Sequence, residues 1–383
     1  MRIFNPKGLG IGEVEKMKKL NLNHLLLLIL LALFSNLFVW LPFALGLGEG
    51  MLTVFKNYDG PYYLVIAKSL YNPEFIRSHF SLPTPIEYYP AHFPGYPLTI
   101  KFLDVFLTGT WAMLISTTIF TVLSILMFYL FITKFDYSLN PLFLTLLFLI
   151  FPGRWLAVHS VGSPEPMFIF AILASFYFFK SNKFLLAGLF GALAQITKTP
   201  GVLLLIAYCL LLIGKYKKIK RIEWRAWPLL FIPFSALAVF FFYQKQTGDF
   251  LAYFHSGDNF HLVFPPYQSF ISSKSWLGDI WIEDIIWQYL VGALAVVYLI
   301  KQKYYDLSTF AGIFFISTLF IAHRDLARYS LPLIPFALIA FDKFLQRKEF
   351  KIALLIILPA IYLYTLNFIL GNIAPIADWT PYL

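Results

Sequence analysis

Apolar runs separated by short charged breaks alternate along most of the chain. They predict spans at about 24–45, 110–133, 140–153, 166–179, 184–197, 201–214, 226–244, 284–300, 307–322, 329–341 and 352–370. Several approach the ~20 apolar residues that cross a hydrocarbon core, and others are shorter. The pattern changes over 46–109 and 245–283, two longer connections dense in aromatics. The first holds Tyr62, Tyr63, Tyr88, Tyr89, Phe93 and Tyr96, the second Tyr253, Phe254, Phe260, Phe264, Trp276 and Trp281. Connections of this length usually carry function. Aromatic side chains favour the headgroup layer of a bilayer, so both segments are expected on the membrane surface, with a juxtamembrane helix over 94–107. The expected fold is an all-α polytopic membrane protein, one domain over 1–383. It is a bundle of about 11 transmembrane helices whose long first external loop carries juxtamembrane helices.

Composition sharpens this reading. Of 383 residues, 59% are hydrophobic and 13% charged, against roughly 45–50% and about 25% in soluble domains. That excludes a soluble enzyme, a disordered chain and a disulfide-stapled domain. The one cysteine, Cys209, lies inside the apolar run Leu203–Ile213 and has no partner for an intramolecular disulfide. A net charge of +10 could suggest nucleic acid, but no basic tract with interleaved aromatics lies outside the apolar runs. The cations instead set orientation. With the N-terminus cytoplasmic, 20 of the 30 lysines and arginines fall in cytoplasmic segments, as the positive-inside rule expects. The first run continues from Leu25 through Trp40 to about Leu45, too long for a signal-peptide core, and reads as an uncleaved span.

With this topology Asp59, His92, Glu165, Lys198, Arg324 and Arg328 all face the external side, as do six of the seven histidines, all but His24. Each has an ordinary structural explanation. Asp59-Gly60-Pro61 is good turn chemistry. The stretch from Glu87 to Pro97 could be a proline-stiffened surface loop. Glu165 could answer a helix macrodipole, Lys198 could snorkel, and an arginine near Asp325 could form a plain ion pair. Together they place acids and fixed cations on one side, which suits group transfer with an anionic leaving group. An acid at membrane depth reads as functional by default, and a partly desolvated Asp59 can take a proton from an acceptor hydroxyl. The spacing of His255, Asp258 and His261 matches no zinc pattern, and no ligand cluster supports a divalent metal.

Four motifs in order carry a resemblance: Asn57-Tyr58-Asp59-Gly60 with Tyr89 to Pro97, then Ser163-Pro164-Glu165, then Thr197-Lys198-Thr199-Pro200-Gly201, then Ala327-Arg328-Tyr329. The chain resembles GT-C glycosyltransferases, above all the phosphatidylinositol-glycan class V-like mannosyltransferases. It departs from them in having Tyr58-Asp59 for Trp-Asp and Lys198 for an arginine. The resemblance implies an inverting transfer of a hexose, mannose by the closest likeness, from a polyprenyl or dolichyl phosphate sugar. The acceptor is a hydroxyl of a glycan, glycolipid or protein outside the cytoplasm. No cofactor is implied beyond that donor substrate, and no nucleotide-binding glycine loop is present. Asp59 matches the acceptor-activating base. Arg328 and Lys198 match positions expected to neutralise the lipid phosphate, and Arg324 and Tyr329 are counted with them among the substrate- or donor-binding residues. Glu165 and His92 fall where sugar or acceptor is oriented.

The membrane would be a prokaryotic plasma membrane, or the ER of a eukaryote. Two other classes compete: a flippase or transporter of lipid-linked saccharides, and a scaffold without chemistry. A transporter predicts paired repeats and mid-span ionisable groups, and the sequence shows neither. The topology is checked by cysteine labelling in intact cells, with Cys209 replaced. K218C and K348C should resist a membrane-impermeant reagent, and external labelling of either overturns the orientation.

Overall fold

The computed structural model describes residues 21–81, 84–257, 262–270, 282–323, 325–376 and 378–383. The expectations for Arg324, Asp258, Phe260, His261, Trp276 and Trp281, and for the charged residues before Asn21, lie outside the described residues. Among those described, the fold is helical, with two isolated β-bridges and no named strand. In chain order the helices are α1 (Leu22–Ala44), α2 (Met51–Phe55), α3 (Gly60–Ser69), α4 (Pro73–His79), α5 (Gly95–Leu103), α6 (Gly109–Lys134), α7 (Pro141–Ile150), α8 (Gly153–His159) and α9 (Glu165–Lys180). They continue as α10 (Phe184–Thr197), α11 (Val202–Ile219), α12 (Phe231–Thr247), α13 (Ile282–Lys301), α14 (Tyr305–Thr318), α15 (Leu326–Tyr329), α16 (Ile334–Leu345) and α17 (Lys348–Gly371).

Among the described residues six helices are long and apolar enough to cross a membrane: Leu22–Ala44, Gly109–Lys134, Thr199–Ile219, Trp224–Thr247, Glu283–Lys301 and Lys348–Gly371. A seventh arises if Pro141–Ile150 and Gly153–His159, bent by 72°, count as one broken span. The remaining apolar helices are shorter; α10, with 14 residues, rises only ~21 Å at 1.5 Å per residue. The outer helices keep their large apolar side chains on the outside. Leu355 and Ile356 of α17 are 71% and 72% exposed, and α1 shows Leu30, Phe34 and Leu37. In water such a surface would be a liability, whereas in lipid it costs nothing and the backbone is satisfied within each helix.

Helix ends follow local chemistry. Asn21, Asn72 and Asn140 cap α1, α4 and α7 through their side-chain oxygens, each satisfying an orphan N–H. Proline opens α3, α4, α7 and α9, where its missing donor is not needed. The central pillar is α6 against α9, with α10 on the far face of α9. Trp155 and Phe148 stack in the core between α7 and α8.

Two expectations are corrected. The 94–107 helix exists as α5, but the aromatics around it turn inward. Tyr63, Tyr89, Phe93 and Tyr96 are buried in a protein core, not spread on a membrane surface, because their rings pack edge to face and their hydroxyls find partners inside. Tyr96 Oη, for example, donates to Met113 O at 3.0 Å. His159, read as external, is buried within the bundle, its Nδ1 2.9 Å from Asn36 Oδ1 and its Nε2 3.0 Å from Leu149 O. The bend between α7 and α8 carries it inward.

Close packing also fixes α10. A methyl on Gly188 would lie 2.1 Å from Pro228 O, whereas one on Gly214 would meet nothing within 4 Å. G188A should therefore lower the thermal midpoint in detergent, by an overpacking penalty of about 1–3 kcal/mol. G214A should leave it unchanged or raise it, by up to about 1 kcal/mol of helix propensity. Equal midpoints for the two variants would contradict this packing.

Candidate functional site

The site forms where α3, α9, the break after α10 and α15 meet. Asp59 immediately precedes α3, after Tyr58 in a left-handed turn at φ 51°. Glu165 is the first residue of α9, presented by the Ser163-Pro164 turn. Lys198 has extended backbone between α10 and the following turn Thr199–Gly201, so its side chain leaves both helices. Arg328 belongs to α15, a single turn between α14 and α16.

Arg328 joins them. Its Nη1 donates to Asp59 Oδ2 at 2.8 Å and its Nε to Glu165 Oε1 at 2.7 Å. Lys198 Nζ donates to the same Glu165 oxygen at 2.7 Å, and Ser163 Oγ donates to Oε2. Glu165 is 1% exposed, a charge burial tolerated only because two cations and a hydroxyl engage both oxygens. The Arg328 guanidinium also lies 4.5 Å from the Tyr58 ring centroid, and Lys198 Nζ 5.8 Å from that of Tyr329. His92 closes the other side. Its Nε2 is 3.9 Å from Asp59 Oδ1, its ring stacks on Tyr62, and its Nδ1 is buried without a partner.

Burial opposes ionisation of Asp59, but Arg328 and the nearby His92 outweigh it and hold the carboxyl well below its usual range. A depressed folded value stabilises the fold above the unfolded carboxylate pKa of about 4, and that contribution is lost as pH falls through the folded value. Asp59 is therefore ionised at every physiological pH. Burial pushes the Tyr58 hydroxyl up to about 12, so it stays a neutral phenol.

Of the residues singled out from sequence, Asp59, His92, Glu165, Lys198, Arg328 and Tyr329 come together. Three contributions were missed. Arg154 of α8 places Nη2 3.2 Å from Asp325 Oδ1. Asp325 is 7% exposed, and burial raises its carboxyl above the usual range despite Arg154 and Arg328 nearby. The third is the segment after α17, which pairs with the chain just before Asp59. Tyr58 N donates to Asn372 O at 2.7 Å and Ala374 N to Lys56 O at 2.9 Å, with Asn57 and Ile373 in an antiparallel bridge. Lys56 Nζ then sits 5.6 Å from the Trp379 ring, and Tyr382 is buried against Phe80. The local signals were Arg in Phe-Pro-Gly-Arg154 and the aromatic Trp379 to Tyr382 beyond the last apolar run. Among the described residues no group of three metal-ligating side chains gathers.

No protein-family model matches this chain, and no curated protein matches it. The geometry of the site is thus the ground on which function is argued.

The segment after α17 holds Tyr58 in its strained turn by two backbone hydrogen bonds worth about 0.5–1.5 kcal/mol each. Deleting 372–383, which removes both the Asn372 acceptor and the Ala374 donor, should speed amide exchange over 56–60 by roughly 10-fold or more, leaving α6 and α9 unchanged. Unaltered exchange at Tyr58 would remove the segment from the site's support.

Proposed function

We propose that this protein is a GT-C-type membrane glycosyltransferase that moves a hexose from a polyprenyl-phosphate sugar to an acceptor hydroxyl. The carrying observation is the buried Asp59–Arg328–Glu165–Lys198 network at one end of an apolar helical bundle. It supplies an ionised carboxylate beside fixed cations. On this reading the shorter helices α9, α10, α14 and α16 complete an arrangement of eleven crossings, and the Asp59 end faces away from the cytoplasm of a prokaryotic cell. Mannose is the hexose the motif order favours.

Chemically, Asp59 Oδ1 is the useful oxygen, because Oδ2 already accepts from Arg328. An acceptor hydroxyl bonded to Oδ1 attacks the anomeric carbon as the bond from that carbon to the phosphate oxygen breaks. The hydroxyl proton goes to Asp59, and the bonding pair leaves with the phosphate. Cations fixed before the reaction stabilise that growing charge most in a site poor in water. Asp59 is a weak base at rest, so proton transfer is late, when the attacking oxygen already carries positive charge. Glu165 holds Arg328 and Lys198 in place and is fully engaged in doing so.

The test uses purified protein in lipid nanodiscs, radiolabelled polyprenyl-phosphate mannose and acceptor extracted from membranes. D59N should cut transfer by about 100- to 10,000-fold while sparing donor binding. R328A should weaken donor binding and transfer together, since the phosphate is present in ground and transition states. Because Asp59 is ionised well below neutrality, wild-type activity should show no acidic limb from Asp59 down to about pH 5. Near wild-type transfer by a folded D59N protein overturns the base assignment, and absence of transfer by the wild type with any polyprenyl-phosphate hexose overturns the reading.

A further inference from the structure

Count the donors around the site. Arg328 engages Nε and Nη1 with carboxylates, and Lys198 is bonded to Glu165. Both are tied to carboxylates, although Arg328 Nη2 and two of the three Lys198 N–H groups take no part in these bonds. Arg154 differs. Its Nε and Nη1 are buried and have no hydrogen-bond partner, and among the described residues its ionic contact is Nη2 to Asp325 Oδ1 at 3.2 Å. That Asp325 oxygen has no hydrogen-bond partner of its own, so the contact is electrostatic without hydrogen-bond geometry. The side chain as a whole is 18% exposed, but a buried N–H group left without a partner costs about 1–3 kcal/mol, and such groups call for an acceptor.

The position fits a ligand. Arg154 stands on α8, which packs against α15 and α17. Its guanidinium lies 3.9 Å from the Phe368 ring centroid, which holds it flat and leaves its edge for a planar, two-pronged partner. Asp325 is within electrostatic reach of Arg154, Arg328 and Glu165 alike, so Arg154 borders the network rather than lying apart from it. Among the described residues Arg154 is thus the cation of this site most weakly held by its carboxylate.

We propose that Arg154 is the anion-receiving residue of the site: a phosphate ester takes the place of Asp325 and accepts from the guanidinium fork. This rests on the transferase reading for the identity of the ester, a lipid phosphate, but the chemistry is that of any phosphate group. Arg154 then holds the leaving group in its fork, while Arg328 and Lys198, still tied to Asp59 and Glu165, add fixed positive charge beside it. Asp325 acts as a stand-in anion that occupies the fork until phosphate arrives.

The exchange is tested by equilibrium binding to purified full-length protein in nanodiscs of neutral lipid, with two probes: polyprenyl phosphate and inorganic phosphate. Two lost charge-assisted bonds correspond to a loss of about 10-fold or more. R154Q should weaken polyprenyl phosphate by that amount, and R154K, which keeps the charge without the fork, by less. D325N should tighten phosphate by at least about 3-fold, since the competing carboxylate is gone; an arginine with a purely structural role predicts no gain. Tightening of both probes shows that the phosphate group is what Arg154 reads, and tightening of the lipid alone shows that the headgroup is read together with its chain.

Should R154Q fail to fold, R154K and D325N decide the matter. Binding within twofold of wild type in both, or no binding of either probe by the wild type, overturns the assignment. The two readings separate cleanly. Arg154-dependent phosphate binding without any hexose transfer sinks the transferase and keeps the anion site. Transfer that R154K and D325N leave unchanged in rate and donor KM does the reverse.

Discussion

A guanidinium held between two carboxylates inside an apolar bundle governs this architecture. Arg328 cannot be buried alone, because an unpaired charge in a low-dielectric interior costs several kcal/mol. Its two partners come from positions 269 and 163 residues away in sequence. For both to reach it, the turn before α3, the first residue of α9 and the short helix α15 must meet within hydrogen-bond distance. Every larger feature near the site serves that meeting. The Ser163-Pro164 turn places Glu165 at a helix start, α15 is a single turn rather than a continuation of α14, and Lys198 leaves its helix to share Glu165.

The same constraint explains why the aromatics of the first long connection turn inward. A charged cluster within an apolar helical bundle must be sealed from its apolar surroundings and metered against water. Tyr62, Tyr63, Tyr88 and His92 do this by stacking around Asp59. Spread on the membrane surface, the same rings would leave Asp59 in bulk water, where its interaction with Arg328 would shrink to the order of 1 kcal/mol. The segment after α17 adds the other wall by pairing with Lys56 and Tyr58. Support for the site therefore comes from the two ends of the described chain.

Much of this was legible in sequence, for identifiable reasons. Apolar runs mark helices because lipid leaves no alternative to a satisfied backbone, so α1, α6, α10 and α17 fall close to their expected bounds. Asp59, Glu165, Lys198 and Arg328 stood out because a charge at the end of an apolar run needs a partner. What sequence could not show was pairing across long separations. Arg154 sits beside a bend whose angle no hydropathy pattern encodes, and Asp325 looked like a partner for its neighbours rather than for α8. The inward turn of the tyrosines failed for a related reason: a tyrosine suits a membrane boundary and a buried hydrogen bond equally well, and only the location of Thr117, Met113 O and His92 O decides. Whether α9, α10, α14 and α16 cross a bilayer is likewise not fixed by length, since each is shorter than the hydrocarbon core is thick.

Charge balance links the resting site to the proposed reaction. Among the described residues, Asp59, Glu165 and Asp325 face Lys198, Arg154 and Arg328, three carboxylates against three cations. A neutral cluster can be buried without a ligand, which is why the resting site is stable and also why Asp59 rests as a weak base. On the transferase reading, an arriving phosphate ester adds a negative charge to a balanced set. Nearby negative charge raises a carboxylate's affinity for a proton, and an ester that draws on the cations also loosens their hold on Asp59. Donor binding thus strengthens the base at the moment an acceptor needs one. With no donor bound, Asp59 stays tied to Arg328 and water is a poor substrate for it. On that reading, a base that is weak until the sugar is present favours transfer over idle hydrolysis, a property that would follow from pairing the proposed base with a cation inside a neutral, buried cluster.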